Sequence, residues 1–191
     1  MTKAHHVEEL VRELYEAKNT ARDEWADWLY ENHVLVVADK ARLLAQTYSV
    51  DEDLSVTAAL LHDIADAEMS RFDSDHEQRS LEIARGFMEQ AGYKSHVVDM
   101  VVDDAIRFHS CRNDERPKSD VGKVLASADA LAHLETDFYL FFSRIKSDNS
   151  LSEVKNLLRN KLDRDYNNKL LFDDEKLRLK PTYDAFTKMF S

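Results

Sequence analysis

Three glycines and two prolines are all that interrupt this chain of 191 residues. Average usage would supply shares of about 7% and 5%. A chain so poor in turn-formers lacks the tight Gly-rich turns that a sheet-rich fold needs, which predicts long helices joined by short loops. Apolar residues recur at helical spacing along most of the length. The chain is long enough to bury a substantial core, and no repeat, low-complexity tract or linker divides it. The expectation is an all-α, single-domain bundle spanning 1–191, with about seven to eight helices.

The apolar stripes place those helices. The first runs from about His5 to Lys18, with Val7, Leu10, Val11, Leu14 and Tyr15 on one face. The second runs from about Thr20 to Tyr48, its stripe passing through Trp25, Leu29, Val36, Ala41 and Leu44, with His33 on the same face. Ser49-x-x-Glu52, Ser74-x-x-Glu77 and Ser150-x-x-Glu153 carry the capping-box pattern and predict three helix starts. Helices are also predicted from about Ser95 to His109, from about Ser119, and from about Asp174 to Phe190. Residues 67–75 and 110–118 are polar and read as loops. The aromatic cluster from Phe138 to Phe142 reads as core or as an interface, and so permits a homodimer.

A net charge of −11 argues against binding a nucleic-acid polymer, which needs a basic face. It leaves room for a small anionic substrate if basic side chains gather at one place. The lone Cys111 excludes an internal disulfide and suits a reducing compartment. No stretch reaches the roughly 20 apolar residues of a membrane span. The N-terminal residues also lack the apolar core of a signal peptide. A cytoplasmic protein without membrane association is expected.

Against this background one run stands out: Ala58-Ala59-Leu60-Leu61-His62-Asp63-Ile64 drives an imidazole and a carboxylate side by side into the core. Burying such groups is costly unless each is paired. His33, His109 and Asp129 likewise lie on or at the end of apolar stripes, while His76 opens a predicted helix. Taken singly, each histidine reads as a hydrogen-bonded core residue. Taken together, three histidines and two aspartates aimed inward from four helices suggest a shared cation, and mutual pairing remains the other reading. Mixed imidazole and carboxylate donors suit Mn, Fe, Co, Ni or Zn better than Ca. Adjacent helical residues point about 100° apart, so His62 and Asp63 can meet one ion only near a helix end or across a wide wedge. His5, His6, His96 and His133 are set aside, with His133 the best placed of them to support a ligand, four residues beyond Asp129.

The order His33, then Ala-Leu-Leu-His62-Asp63-Ile, then Ser-Ala-Asp129-Ala-Leu resembles the His…His-Asp…Asp pattern of the HD-domain metal-dependent phosphohydrolases. The resemblance covers a core of about 28–134, with helices at about 150–190 expected to pack on it. It implies that His33, His62, Asp63 and Asp129 bind a first divalent cation, Mg included among the candidates. His76 and His109 stand where the binuclear branch holds a second ion, with Asp63 bridging. The chain lacks the glycine-tyrosine-proline signature of cyclic-dinucleotide phosphodiesterases and the length of the larger deoxynucleotide triphosphohydrolases. A pair of cations can generate hydroxide and clamp the oxygens of an in-line displacement at phosphorus. The expected activity is therefore hydrolysis of a phosphoester or phosphoanhydride in a small phosphorylated molecule, a nucleotide above others. Asp66 and Glu68 are candidates for general base or for acceptors that hold a ligand histidine. Lys40, Arg79, Arg107 and Arg112 are candidates for phosphate contacts, with Arg116 and Lys118 nearby, and Lys161, Arg164 and Lys169 could cover the site. A metal- or nucleotide-binding sensor without turnover is the alternative, and a helical scaffold with a satisfied polar core is a third reading.

Overall fold

The computed structural model describes residues 2–191. It is all-helical, with nine helices and no strand among the described residues. Helix α1 (Lys3–Glu16) is capped by Thr2, whose hydroxyl accepts from the His5 amide at 3.2 Å. Helix α2 (26–48) starts well after Thr20. Polar side chains hold the preceding residues out of helix: Asn19 Oδ1 accepts from the Ala21 amide at 2.9 Å, and Asp23 accepts from the Arg71 amide at 2.9 Å. Within α2, regular turns at Ala26–Leu29 and Leu35–Tyr48 flank a wide π turn at Tyr30–Val34.

Helix α3 (Glu52–Leu61) is capped by Asp51, which accepts from the Leu54 amide. Ser49 instead adopts the left-handed conformation (φ 56°) that ends α2, so the cap lies two residues beyond the expected Ser49. A 3-10 turn, Ile64–Ala67, follows. Helix α4 (His76–Gln90) also starts without the expected box, because Ser74 Oγ bonds the Asp75 carboxylate. Helix α5 (95–106) is regular over Ser95–Asp99 and then π over Met100–Ile106. Helices α6 (Asp120–Glu135) and α7 (Phe138–Ile145) come next, so the aromatic cluster forms a helix of its own. Helix α8 (151–169) opens on the expected Ser150–Glu153 box and closes on a π turn, Asp165–Lys169. Helix α9 (Asp173–Met189) ends the fold.

Helices α3 and α6 are buried on almost every side, which is why their sequences are apolar all round instead of striped. Helices α2, α3, α5 and α8 pack against α6, and α1 covers α3. The approach of α5 to α6 depends on Gly122: a Cβ there would lie 2.3 Å from Pro117 Cβ and 3.1 Å from Ala105 Cα.

The loop between α5 and α6 is pinned by Asp104, whose carboxylate accepts from the amides of Lys118 and Ser119 at 2.9 and 2.8 Å. Burial opposes its charge, and the bonds from Ser119 and Lys118 outweigh burial and hold the carboxyl below its usual range. A carboxyl depressed in the folded state stabilises above its unfolded pKa of about 4 and loses that contribution as pH falls through the folded value. Asp104→Ala is expected to lower stability by about 1–2 kcal/mol at neutral pH. Urea titrations should show the gap from wild type closing below about pH 4.

Candidate functional site

The polar residues converge where α2, α3, α5 and α6 meet. Helix α3 ends at Leu61, and Asp63 (φ −131°, ψ 36°) has left helical geometry. Two consecutive side chains thereby face one space, with His62 Nε2 3.6 Å from Asp63 Oδ2. His33 comes from the π turn of α2, His109 from the residues just past the π turn of α5, and Asp129 from the middle of α6. Wide turns of this kind often mark functional positions.

Hydrogen bonds fix the orientation of the rings. His62 Nδ1 donates to the Ala59 carbonyl at 2.7 Å, and His109 Nδ1 donates to the Ile106 carbonyl at 2.6 Å. A carbonyl can only accept, so in both residues Nδ1 carries a proton, and the neutral tautomer this selects presents its lone pair on Nε2. His33 Nε2 lies 3.3 Å from Asp129 Oδ1. His33 Nδ1, His62 Nε2 and Asp129 Oδ1 are all buried without a hydrogen-bond partner. Burial holds His33 well below the usual histidine range, against the pull of Asp129, and takes His109 down to about 4. Burial opposes the charge of Asp129, yet His133 and Lys169 beside it keep its carboxyl well below the usual range.

Neutral imidazoles with free lone pairs beside ionised carboxylates are the donors a borderline divalent cation takes. Two sets could hold one: His33, His62 and Asp129, and His62, Asp63 and His109, each offering atoms within 4.8 Å of one another. His62 belongs to both.

His76 falls in neither set. Its Nε2 is 2.8 Å from Asp66 Oδ1. Burial opposes the imidazolium there, but the Asp66 bond and the Asp63 charge raise its pKa. Arg71 ties these groups together: its guanidinium donates to Asp63 Oδ2 at 2.7 Å and to both oxygens of buried Asp66. Burial opposes the charge of Asp63, and Arg71 is the strongest of the neighbours that hold it ionised.

A second polar cluster backs the first. Lys169 donates to Asp129, and His133 stands between two carboxylates, 3.1 Å from Asp129 Oδ1 and 3.0 Å from Asp165 Oδ2. Tyr139 donates to Asp165 at 2.7 Å, and Lys161 lies 3.3 Å from it. Lys169, Asp165 and His133 are buried.

The cluster opens into a cavity of about 460 Å³. Seven Lys or Arg side chains line it against four Asp or Glu, in a chain whose overall charge is −11. Arg107 and Arg112 are among them; Lys40, Arg79 and Glu68 are not. Lys40 is paired with Glu135 at 2.5 Å, and Arg79 with Glu68 at 2.7 Å. Phe138, Phe141 and Phe142 form an apolar wall, with Phe141 stacked on Trp28 at 4.0 Å.

Sequence reasoning overlooked Arg71, Asp165 and Tyr139 and set His133 aside. The Asp129–His133 and Asp165–Lys169 spacings of four residues were the available signal. Arg71 lies in an aperiodic stretch and offered none.

A family model described as HD domain matches residues 30–134. The chain belongs to the HD-domain family. The match begins just before His33 and ends just after His133, so all of the HD-domain pattern residues lie inside it, and α8 with its Lys161, Asp165 and Lys169 lies outside. No curated protein and no solved structure matches the chain. Membership places it in a superfamily made up largely of metal-dependent phosphohydrolases. No described helix is long and apolar enough to cross a membrane.

Proposed function

We propose that this HD-domain chain hydrolyses a phosphoester or phosphoanhydride bond of a small phosphorylated molecule, a nucleotide above others, using one or two divalent cations. One observation carries the reading: buried His33, His62 and Asp129 bring donor atoms within 4.8 Å of one another, His62 Nε2 has no hydrogen-bond partner, and His62 and Asp129 line a cavity rich in cationic side chains. His33, His62, Asp63 and Asp129 would hold one cation. Asp63 and His109 would hold a second, with His76 joining once it leaves Asp66. A bound divalent cation supplies a lowered pKa for water and neutralises charge on phosphoryl oxygens.

The chain's own groups do the rest. The Ala59 and Ile106 carbonyls lock the tautomers of His62 and His109, so no reorganisation is needed to present their lone pairs. Asp66, buried and hydrogen-bonded to His76 and Arg71, orients both and is a candidate general base. Glu68, held by Arg79, is a weaker candidate base. Arg107 and Arg112 face the cavity and can donate to phosphate oxygens. Lys40 and Arg79 would first have to leave their carboxylate partners. The phenylalanine wall gives a nucleobase an apolar surface. Buried Cys111 without a partner cysteine fits a cytoplasmic setting.

The test joins elemental analysis to a phosphate-release screen over nucleotides, cyclic nucleotides and dinucleoside polyphosphates. Release that depends on a divalent cation and stops on chelation is expected. Metal content should approach two ions per chain and fall toward one in His109→Ala or His76→Ala. Unchanged stoichiometry in both variants would remove the second ion. Tight nucleotide binding with no release from any substrate would make the chain a sensor.

A further inference from the structure

Helix α8 lies outside the segment that matches the family, yet it forms one wall of the cavity. Leu157, Asn160, Lys161 and Arg164 all line it, and their spacing of three, four and seven residues puts them on one helical face. That face is held rigidly. Lys161 Nζ is 3.2 Å from His133 Nδ1 and 3.3 Å from Asp165 Oδ2, and it lies 5.0 Å from the centre of the Phe138 ring. Ser127 Oγ fastens the end of the helix by donating to the Lys169 carbonyl at 3.2 Å and accepting from the Leu171 amide at 3.0 Å.

Arg164 is the member of this wall without an assigned role. Its Nε is buried and has no hydrogen-bond partner. A guanidinium N–H that is buried and unsatisfied is costly, and a bound ion or water is one source of the acceptor it lacks. Arg112 and Lys146 line the same cavity, and neither is ion-paired among the described residues; Lys146 Nζ rests 3.7 Å from the centre of the Phe72 ring. Elsewhere the cations Arg22, Arg42, Arg85 and Arg178 each have a carboxylate partner.

We infer that Arg164, with Lys161 beside it and Arg112 and Lys146 also lining the cavity, forms an anion subsite on α8 for a phosphate of the substrate other than the one attacked. The inference rests on the phosphohydrolase reading for the word substrate, and on the geometry alone for the anion. It narrows the substrate to molecules carrying at least two phosphate groups, joined in a chain or borne on separate positions. Arg164 positions such a molecule and specifies it; the bond broken lies at the histidine–aspartate cluster.

The test is calorimetric binding of inorganic tripolyphosphate, and of inorganic phosphate beside it, to the full chain stripped of metal on a chelating resin. Wild type should bind tripolyphosphate more tightly than phosphate. Arg164→Gln, which keeps a polar side chain but removes the guanidinium and its charge, should weaken tripolyphosphate binding about tenfold or more. Arg85→Gln, a surface cation paired with Asp99 and Asp103, should stay near wild type. Circular dichroism and melting temperature establish that each variant is folded. The inference is overturned if wild type does not bind tripolyphosphate at millimolar concentration, if Arg164→Gln binds like wild type, or if Arg85→Gln loses as much. Absence of phosphate release by the metal-loaded chain would defeat the phosphohydrolase reading separately and would leave this binding result standing.

Discussion

Asp63→Ala is expected to lower phosphate release by about a hundred- to ten-thousandfold and to leave the chain without firmly held metal. Asp63 is the anionic member of the set formed with His62 and His109 and would be shared with the ion at Asp129, so its loss leaves one position with two imidazoles and no charge to balance a divalent ion and takes a carboxylate from the other. The variant also leaves the Arg71 guanidinium to Asp66 alone, which sets a cation facing the emptied position. Asp63→Asn, nearly isosteric and uncharged, should behave the same way and guards against a trivial packing defect. Phosphate release and elemental analysis on purified, folded variants decide the matter, and an active, metal-loaded Asp63→Ala chain would refute the assignment.

Asp129→Ala should show the largest effect on stability. Asp129 is buried in contact with Lys169, His33 and His133. Removing it leaves buried Lys169 with only the more distant Asp165 carboxylate, 4.0 Å away, and a broken buried pair costs about 3–5 kcal/mol. The double variant Asp129→Ala/Lys169→Met removes both charges and should recover most of that loss, because the penalty comes from the unpaired partner. Urea unfolding of the metal-free proteins measures the cycle. Equal instability of the single and double variants would show that the two groups do not share this contact.

The helical class, the stripes and the inward histidines were legible because periodicity and the scarcity of breakers act over many residues at once. The His62–Asp63 puzzle was legible too, since only a helix end lets consecutive side chains share a space, and α3 ends at Leu61. Helix starts were less so. Ser49 matched a capping pattern but served to end α2, a choice made by backbone conformation that its local sequence does not reveal. Residues 20–25 lost their expected helix to Asp23, whose contacts with Ser70 and Arg71 are about 47 residues away in sequence. Arg71 was hidden for the same reason, since its partners are set by tertiary packing. Lys40 and Arg79 lie at helical distance from site histidines, but glutamates on neighbouring elements hold them away from the cavity.

The π turns in α2, α5 and α8 have a consequence for how the site and the interior share one helix. Each such turn accommodates an added residue and advances the helical phase by about 100°. The apolar seam can therefore stay in register with its neighbours on both sides of the insertion, while the surplus position is released from packing duty. His33 lies within one such turn, Asp165 and Lys169 bracket another, and His109 follows a third. Polar chemistry is thus inserted between two stretches of ordinary core and does not displace any of it.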